Sequence, residues 1–175
     1  MDHHDHVRLL RDGVQGGGLT WADLGSGHGA FTLALADLLG PSGSIYSVDR
    51  DKRALDVQLA SIRDAFPNVS VTPLIADFSR PMELPPLDGI VMANSLHFER
   101  DKAAVLALVR GYLRPGGRLV LVEYDADRGN PWVPYPLSFG TWAKLAEQAG
   151  FRDTRRLASM PSRFLGSIYS ALSLR

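Results

Sequence analysis

The 175-residue sequence contains no cysteine. That absence removes disulfides, thiolate zinc sites and thiol nucleophiles together, and leaves the redox compartment unreadable from composition. Net charge is missing as well. Lysine plus arginine number 19, against 19 aspartate plus glutamate, so no global field draws the chain to nucleic acid or to an anionic membrane. No apolar run approaches the roughly 18 residues that a membrane span requires, and the polar start Met-Asp-His-His-Asp-His does not resemble a signal peptide. These absences predict a soluble cytoplasmic protein with no membrane insertion and no nucleic-acid partner. The length suits one domain with a sizeable core rather than two.

What the chain does have is glycine set between a strand pattern and a helix pattern. Residues 19–32 read Leu-Thr-Trp-Ala-Asp-Leu-Gly-Ser-Gly-His-Gly-Ala-Phe-Thr. An apolar stretch is followed by glycine at 25, 27 and 29, then by a helical pattern through Phe31, Leu35 and Leu38. Glycine accepts positive φ and has no Cβ to hold a ligand away, while the helix start behind it offers unpaired N–H groups. Ahead of this stretch, residues 1–18 form a short helix or tail: Val7, Leu10 and Val14 suit an amphipathic helix that Gly16, Gly17 and Gly18 end. His3, His4 and His6 with Asp2 and Asp5 are metal-ligand types, but a terminus without supporting partners makes a poor site. We expect a solvated segment and no metal, with residues 19–175 as the single domain.

The rest of the chain alternates. The first helix should stop at Gly40-Pro41. Residues 44–49 read as a strand, and from Lys52 the apolar residues Leu55, Leu59, Ile62 and Phe66 line one helical face. Residues 69–75 are rich in β-branched types and 87–93 are apolar, giving two more strands on either side of a proline-rich loop at 79–86. A helix over 101–113 leads through a turn at 114–117 into 118–124, whose near-continuous apolar pattern suits a strand buried on both faces. A long aromatic-containing loop over 125–136 precedes a helix at 141–149. The last apolar segments, 151–157 and 164–174, read as two strands joined near Met160-Pro161. This order describes an open, doubly wound α/β sheet, mostly parallel, with an antiparallel terminal hairpin.

Ligands of such sheets bind outside the carboxyl ends of the strands. The polar groups at 23–29, Asp49, Asp77 and 94–97 all fall there. Asp49 ends the second strand twenty residues after Gly29, and its two oxygens match the spacing of two ribose hydroxyls; alternatively it caps the next helix. Asp77 can accept from an exocyclic amino group, with Phe78 offering a ring face, or can simply stabilise a turn.

Together, Asp-Leu-Gly-Ser-Gly-His-Gly at 23–29, Val48-Asp49, Ala-Asp-Phe at 76–78, Asn-Ser-Leu-His at 94–97 and Leu-Arg-Pro-Gly-Gly-Arg-Leu at 113–119 resemble the class I S-adenosylmethionine-dependent methyltransferases. The resemblance runs from Leu19 over nearly the whole chain. It implies a Rossmann-like seven-stranded sheet of order 3-2-1-4-5-7-6 with its seventh strand antiparallel. It also implies S-adenosyl-L-methionine as cofactor. Gly25 and Gly27 would then admit the methionine portion, with Asp23 beneath it and Ser26 and His28 in the same turn. Asp49 would hold the ribose, Asp77 and Phe78 would read adenine, and Asn94 would face the amino-acid end. Arg50 departs from the aliphatic residue common at that position, and its guanidinium either stacks on adenine or points to solvent.

Methyl transfer from a sulfonium needs a nucleophile held in line and water excluded, and no metal. His97, directly after the fourth strand, is the candidate general base; the plain alternative is a histidine packed under its loop or bonded to Asn94. Tyr124 and Asp125 are weaker candidates for touching the acceptor. Trp132, Tyr135 and Phe139 either line an aromatic acceptor pocket or pack the 125–139 loop onto the sheet. The segment before the first strand is short, which predicts an open cleft or cover from a second subunit in a homodimer. Asn94 to His97 lacks the two prolines and the aromatic residue typical of DNA-base amino-methylases, and the missing cysteine excludes cysteine-dependent arsenic methylation. Arg152, Arg155, Arg156 and Arg163 make the last 25 residues locally basic, which suits contact with RNA or an acidic substrate or, as is usual for such a pattern, a solvated face. The function expected is methylation of a small organic acceptor. A binding protein without catalysis and a nicotinamide-dependent oxidoreductase are the competing readings; Ala30 stands where the dinucleotide fingerprint wants its third glycine.

Overall fold

The computed structural model describes residues 1–14 and 19–175. Strands β1 (Thr20–Leu24), β2 (Ser44–Asp49), β3 (Ser70–Ile75), β4 (Leu87–Ala93), β5 (Leu113–Tyr124), β6 (Arg152–Ser162) and β7 (Gly166–Leu174) form one sheet. Their order is β3-β2-β1-β4-β5-β7-β6. The first five pair in parallel, and β7 runs antiparallel to both β5 and β6. Order and hairpin are those expected from the sequence.

Alternation within the central strands explains why both faces are covered. On β5, Leu119 and Leu121 face one apolar cluster with Val105, Val109, Trp142 and Ala146, while Val120 and Val122 face a second with Leu9, Leu10, Phe31 and Leu35. Helices α4 (Lys102–Tyr112) and α5 (Phe139–Gln148) therefore close one face, and α1 (His3–Leu10) and α2 (Ala30–Leu39) the other. Helix α3 (Lys52–Ala65) packs beside α2 and over β2 and β3. A side chain on Gly89 would run into the indole of Trp21, its Cβ lying 2.4 Å from ring atoms. Glycine on β4 thus makes room for a fully buried tryptophan on β1.

Three local expectations need correction. The N-terminal segment is the short helix expected, with Asp2, His3 and His4 exposed, but it is docked: Asp2 and Asp5 form a reciprocal capping box, and Val7, Leu9 and Leu10 are buried. His3 bonds Asp37 at 3.1 Å and His6 lies edge-on to Phe31, so the terminal histidines are drawn apart onto α2. The expected helix stop at Gly16, Gly17 and Gly18 lies outside the described residues; α1 already ends at Leu10, and Val14 is buried beyond it. Second, 114–117 is an insertion within β5, since Leu113 pairs with Leu87 and Arg118 with Gly89. Its loose backbone is taken up by the chain end, Gly116 N–H donating to the Arg175 carbonyl and Arg175 N–H to that of Gly117. Third, β6 runs through Met160-Pro161 to Ser162, and the hairpin turns at 163–165 instead. Proline is tolerated there because β6 is an edge strand.

Candidate active site

The strand ends converge on a cleft of about 270 Å³ at the carboxyl edge of β1, β2, β3 and β4. Its floor is the glycine turn. Gly25 has φ +79, and a Cβ there would stand 2.5 Å from the Cβ of Ser95 and 3.1 Å from the Phe78 ring. Only glycine satisfies both the left-handed backbone and the close approach. The N–H groups of Gly25 and Ser26 donate to the Val48 carbonyl, and that of Gly27 to Asp49 at 2.7 Å. These three donors of the turn are satisfied internally.

Seven of the ten residues expected around the cofactor line this cleft: Gly25, Gly27, Asp49, Arg50, Asp77, Phe78 and Asn94. Asp49 does not cap α3, because Asp51 does so, accepting from the N–H groups of Arg53 and Ala54. Asp49 accepts from Gly27 and Asp51 through different oxygens, which leaves each oxygen one further acceptor direction. Asp77 does stabilise a turn: the hydroxyl and N–H of Ser79 both donate to its Oδ1. Those bonds, with Arg50 and Arg80 nearby, hold its carboxyl below the usual range. Its other oxygen carries no hydrogen bond among the described residues.

Asn94 is the oddest residue of the cleft. Its φ is +53, a conformation asparagine visits more readily than most side chains. Its Oδ1 is buried without any hydrogen-bond partner among the described residues. A buried, unpaired acceptor in a concave site is costly unless something else satisfies it.

Three expected residues stand outside the cleft. Asp23 is 1% exposed and accepts the Thr32 hydroxyl proton at 2.7 Å; burial pushes its pKa up to about 7 against the lowering effect of that bond. Ser26 turns inward and accepts from Ser47 and Gln58, which tie the turn to β2 and α3. His28 is exposed and projects from the turn.

His97 sits in a short 3₁₀ turn, Leu96–Phe98, and is 3% exposed. Its partner is not Asn94. Both oxygens of Glu123, a residue with no solvent exposure, lie 3.0 Å from His97 Nδ1, and Glu123 also accepts the His97 backbone N–H. Nε2 carries no hydrogen bond among the described residues. A carboxylate at Nδ1 holds a proton on that nitrogen and orients the ring, which leaves Nε2 as the nitrogen available to a substrate. Sequence reading missed Glu123 because it lies inside an apolar strand; a lone acid in a run buried on both faces was the available signal.

The aromatic residues of the long loop do not form a pocket. Trp132 is 72% exposed. Phe139 packs against Tyr169 and under the Arg156 guanidinium, and Tyr135 lies by Lys102. The loop is anchored by the Tyr135 N–H donating to the His97 carbonyl and by buried Val133 and Leu137. Asp125 is occupied as well, accepting from Phe139 N–H and pairing with Arg156 at 2.8 Å. Among the described residues no cluster of histidine and acids is arranged to hold a metal, and no helix is long and apolar enough to cross a membrane.

Comparison with known proteins gives the family. A family model described as a methyltransferase domain matches residues 16–154. The chain belongs to the class I S-adenosylmethionine-dependent methyltransferase family. It is 32% identical over 158 residues to an arsenite methyltransferase of Aquipseudomonas alcaligenes, a match covering 79% of this chain and 46% of that protein. The chain thus spans about half the length of the curated relatives it matches. Among solved structures, a methyltransferase from Aquifex aeolicus superposes with a TM-score of 0.74 at 21% identity, over 97% of this chain and 89% of that one. The Burkholderia thailandensis 1,6-didemethyltoxoflavin N1-methyltransferase, solved with its acceptor and S-adenosylhomocysteine, gives 0.76 at 17% identity, covering 99% and 77%.

The residues of the cleft fit the methyltransferase cofactor. S-adenosylmethionine carries no phosphate, and the N–H groups of Gly25, Ser26 and Gly27 are engaged within the protein. It carries an ammonium, and Asn94 presents a buried acceptor with nothing to accept. It carries vicinal ribose hydroxyls, and Asp49 has acceptor directions to spare.

Proposed function

We propose that this chain catalyses methyl transfer from S-adenosylmethionine to a small organic acceptor in the cytoplasm. The observation that carries the reading is a cleft whose unused acceptors match the cofactor's donors, flanked by a buried histidine–carboxylate pair. In this reading Asp49 receives the ribose hydroxyls, Asp77 Oδ2 receives the adenine amino group against the Phe78 ring, and Asn94 receives the ammonium. Gly25 allows the close approach. Asp23, Ser26 and His28 shape the turn from behind. Bound S-adenosylmethionine supplies a methyl group made electrophilic by its sulfonium.

His97 Nε2 takes the proton of an acceptor hydroxyl or amine, and Glu123 stabilises the imidazolium that results. The identity of the acceptor is not inherited from relatives. An arsenite methyltransferase is among them, yet none of these 175 residues is a cysteine able to ligate trivalent arsenic. Phe98, at the cleft rim and 56% exposed, supports cover by a second copy of the chain.

Calorimetric titration with S-adenosylhomocysteine tests the reading. Wild type should bind, and Asp49→Ala should weaken binding by about a hundredfold, the loss of two charge-assisted hydrogen bonds at ~1.5 kcal/mol each. Wild type that fails to bind refutes it. Transfer of labelled methyl to any acceptor in a panel separates an enzyme from a catalytically silent binding protein.

A further inference from the structure

A second and larger cavity, about 600 Å³, opens between the start of α1 and the tip of the β6–β7 hairpin. Its walls include Met1, Tyr124, Met160, Phe164 and Ile168, and Arg163 and Asp5 stand at its rim. Tyr124 joins it to the proposed catalytic pair, since its ring lies 5.9 Å from that of His97 on one side and 6.2 Å from Phe164, nearly edge-on, on the other. Phe98 lies 4.3 Å from His97 and lines the cofactor cleft. One row of rings therefore runs from the cleft, past His97, into the cavity.

The hairpin tip is built in an unusual way. Ser162 Oγ accepts the Phe164 N–H at 3.2 Å, which fixes the turn that carries Phe164 over Tyr124. Phe164 nevertheless remains 63% exposed, a large ring held in place without being taken into the core. Arg163 beside it has no hydrogen bond or ion pair among the described residues. The contrast is with Arg156 on the same hairpin, which pairs with Asp125 and stacks on Phe139 and Tyr169. Across the cavity Asp5 is taken up by the α1 cap, accepting from Asp2 N–H. An anionic group is repelled at that side and attracted at Arg163.

We infer that this cavity holds the methyl acceptor, and that the acceptor is a planar aromatic acid: its ring against Tyr124 and Phe164, its anionic group on Arg163, its hydroxyl toward His97. The inference names the substrate class of the methyl transfer proposed above and rests on that reading. Largely apolar walls with one cationic group, in a cavity of this volume, are the ordinary make-up of a small-molecule site. A guanidinium is the side chain best shaped to receive a carboxylate.

The test uses 6-hydroxy-2-naphthoate, which carries hydroxyl and carboxylate at opposite ends, and 2-naphthol, its counterpart without the acid. Calorimetry with the whole chain should show the naphthoate binding about tenfold tighter than the naphthol, the scale of one charged hydrogen-bonded contact at a partly exposed site. Arg163→Ala should abolish that preference while leaving naphthol affinity unchanged, Arg163→Glu should reverse it, and Phe164→Ala should weaken both ligands. Equal affinity of wild type for the two compounds, no binding of either, or a preference that survives Arg163→Ala overturns the inference. S-adenosylhomocysteine is titrated in parallel. If it binds and the naphthoate does not, the acceptor pocket is wrong; if the naphthoate binds and it does not, the methyltransferase reading is wrong.

Discussion

Asp23→Asn should make the stability of this protein less sensitive to pH. Asp23 is sealed beneath the glycine turn, and burial pushes its pKa from 3.8 to about 7, helped by the charge of Asp49 and opposed by the Thr32 hydrogen bond. Between those two values the folded chain holds a proton on this group that the unfolded chain has released. Stability from this source is therefore complete below the unfolded value of 3.8 and is lost as pH rises through about 7. At ~1.4 kcal/mol per pH unit the whole effect is capped at roughly 4 kcal/mol. Asparagine keeps an oxygen for the Thr32 hydroxyl but cannot ionise. Urea unfolding of both proteins at several pH values between 4 and 8 isolates the term, because every other titrating group is common to the pair. The stability of the variant relative to wild type should climb from pH 4 to about 7 and then level off. A difference that stays flat would mean that Asp23 is ionised in the folded state throughout, and the account of a dry, protonated carboxyl under the turn would fail.

Two further outcomes follow from particular contacts. Glu123→Gln removes the charge that orients the His97 ring, and should lower kcat by about 10- to 100-fold with S-adenosylhomocysteine affinity unchanged in calorimetry, while Glu123→Asp keeps more of the rate; parallel loss of cofactor binding would make Glu123 a packing residue only. Leu9→Ala empties a fully buried position under the sheet and should cost about 2–5 kcal/mol in denaturant unfolding; a cost near zero would return α1 to the solvated segment that its histidine-rich composition suggests.

Much of the architecture was legible in the chain because its signals are local. Apolar and β-branched runs separated by helical patterns fix an α/β alternation, and the glycine turn followed by Asp49 and Asp77 marks the strand ends. Where local signals failed, a distant partner had decided the matter. Residues 114–117 have turn chemistry, yet they lie within a strand because Arg175, the last residue, pairs with them. The polar start became a docked helix because its one apolar stripe, Val7 and Leu10, met Trp21 and Leu35 on the sheet face. From the sequence Trp132 and Phe139 suited either a pocket wall or the packing of the loop; Phe139 packs against Tyr169 and Trp132 stands exposed.

The sequence by itself determined the α/β alternation and the polar groups at the strand ends, which are positional facts that chain order conveys, while the sheet order and the cofactor class came from the family its motifs resemble. Only the tertiary structure decided which groups are free to act. Ser26, His28 and Asp49 are equally polar on paper, yet one is bonded inward, one projects to solvent, and one keeps acceptors turned into the cleft. Glu123 reached His97, and among the described residues Arg163 was left without a counter-ion while Arg156 was not, through contacts between segments far apart in the chain. Chemistry depends on which donors and acceptors remain unsatisfied after folding, and that is a property of packing, not of residue type.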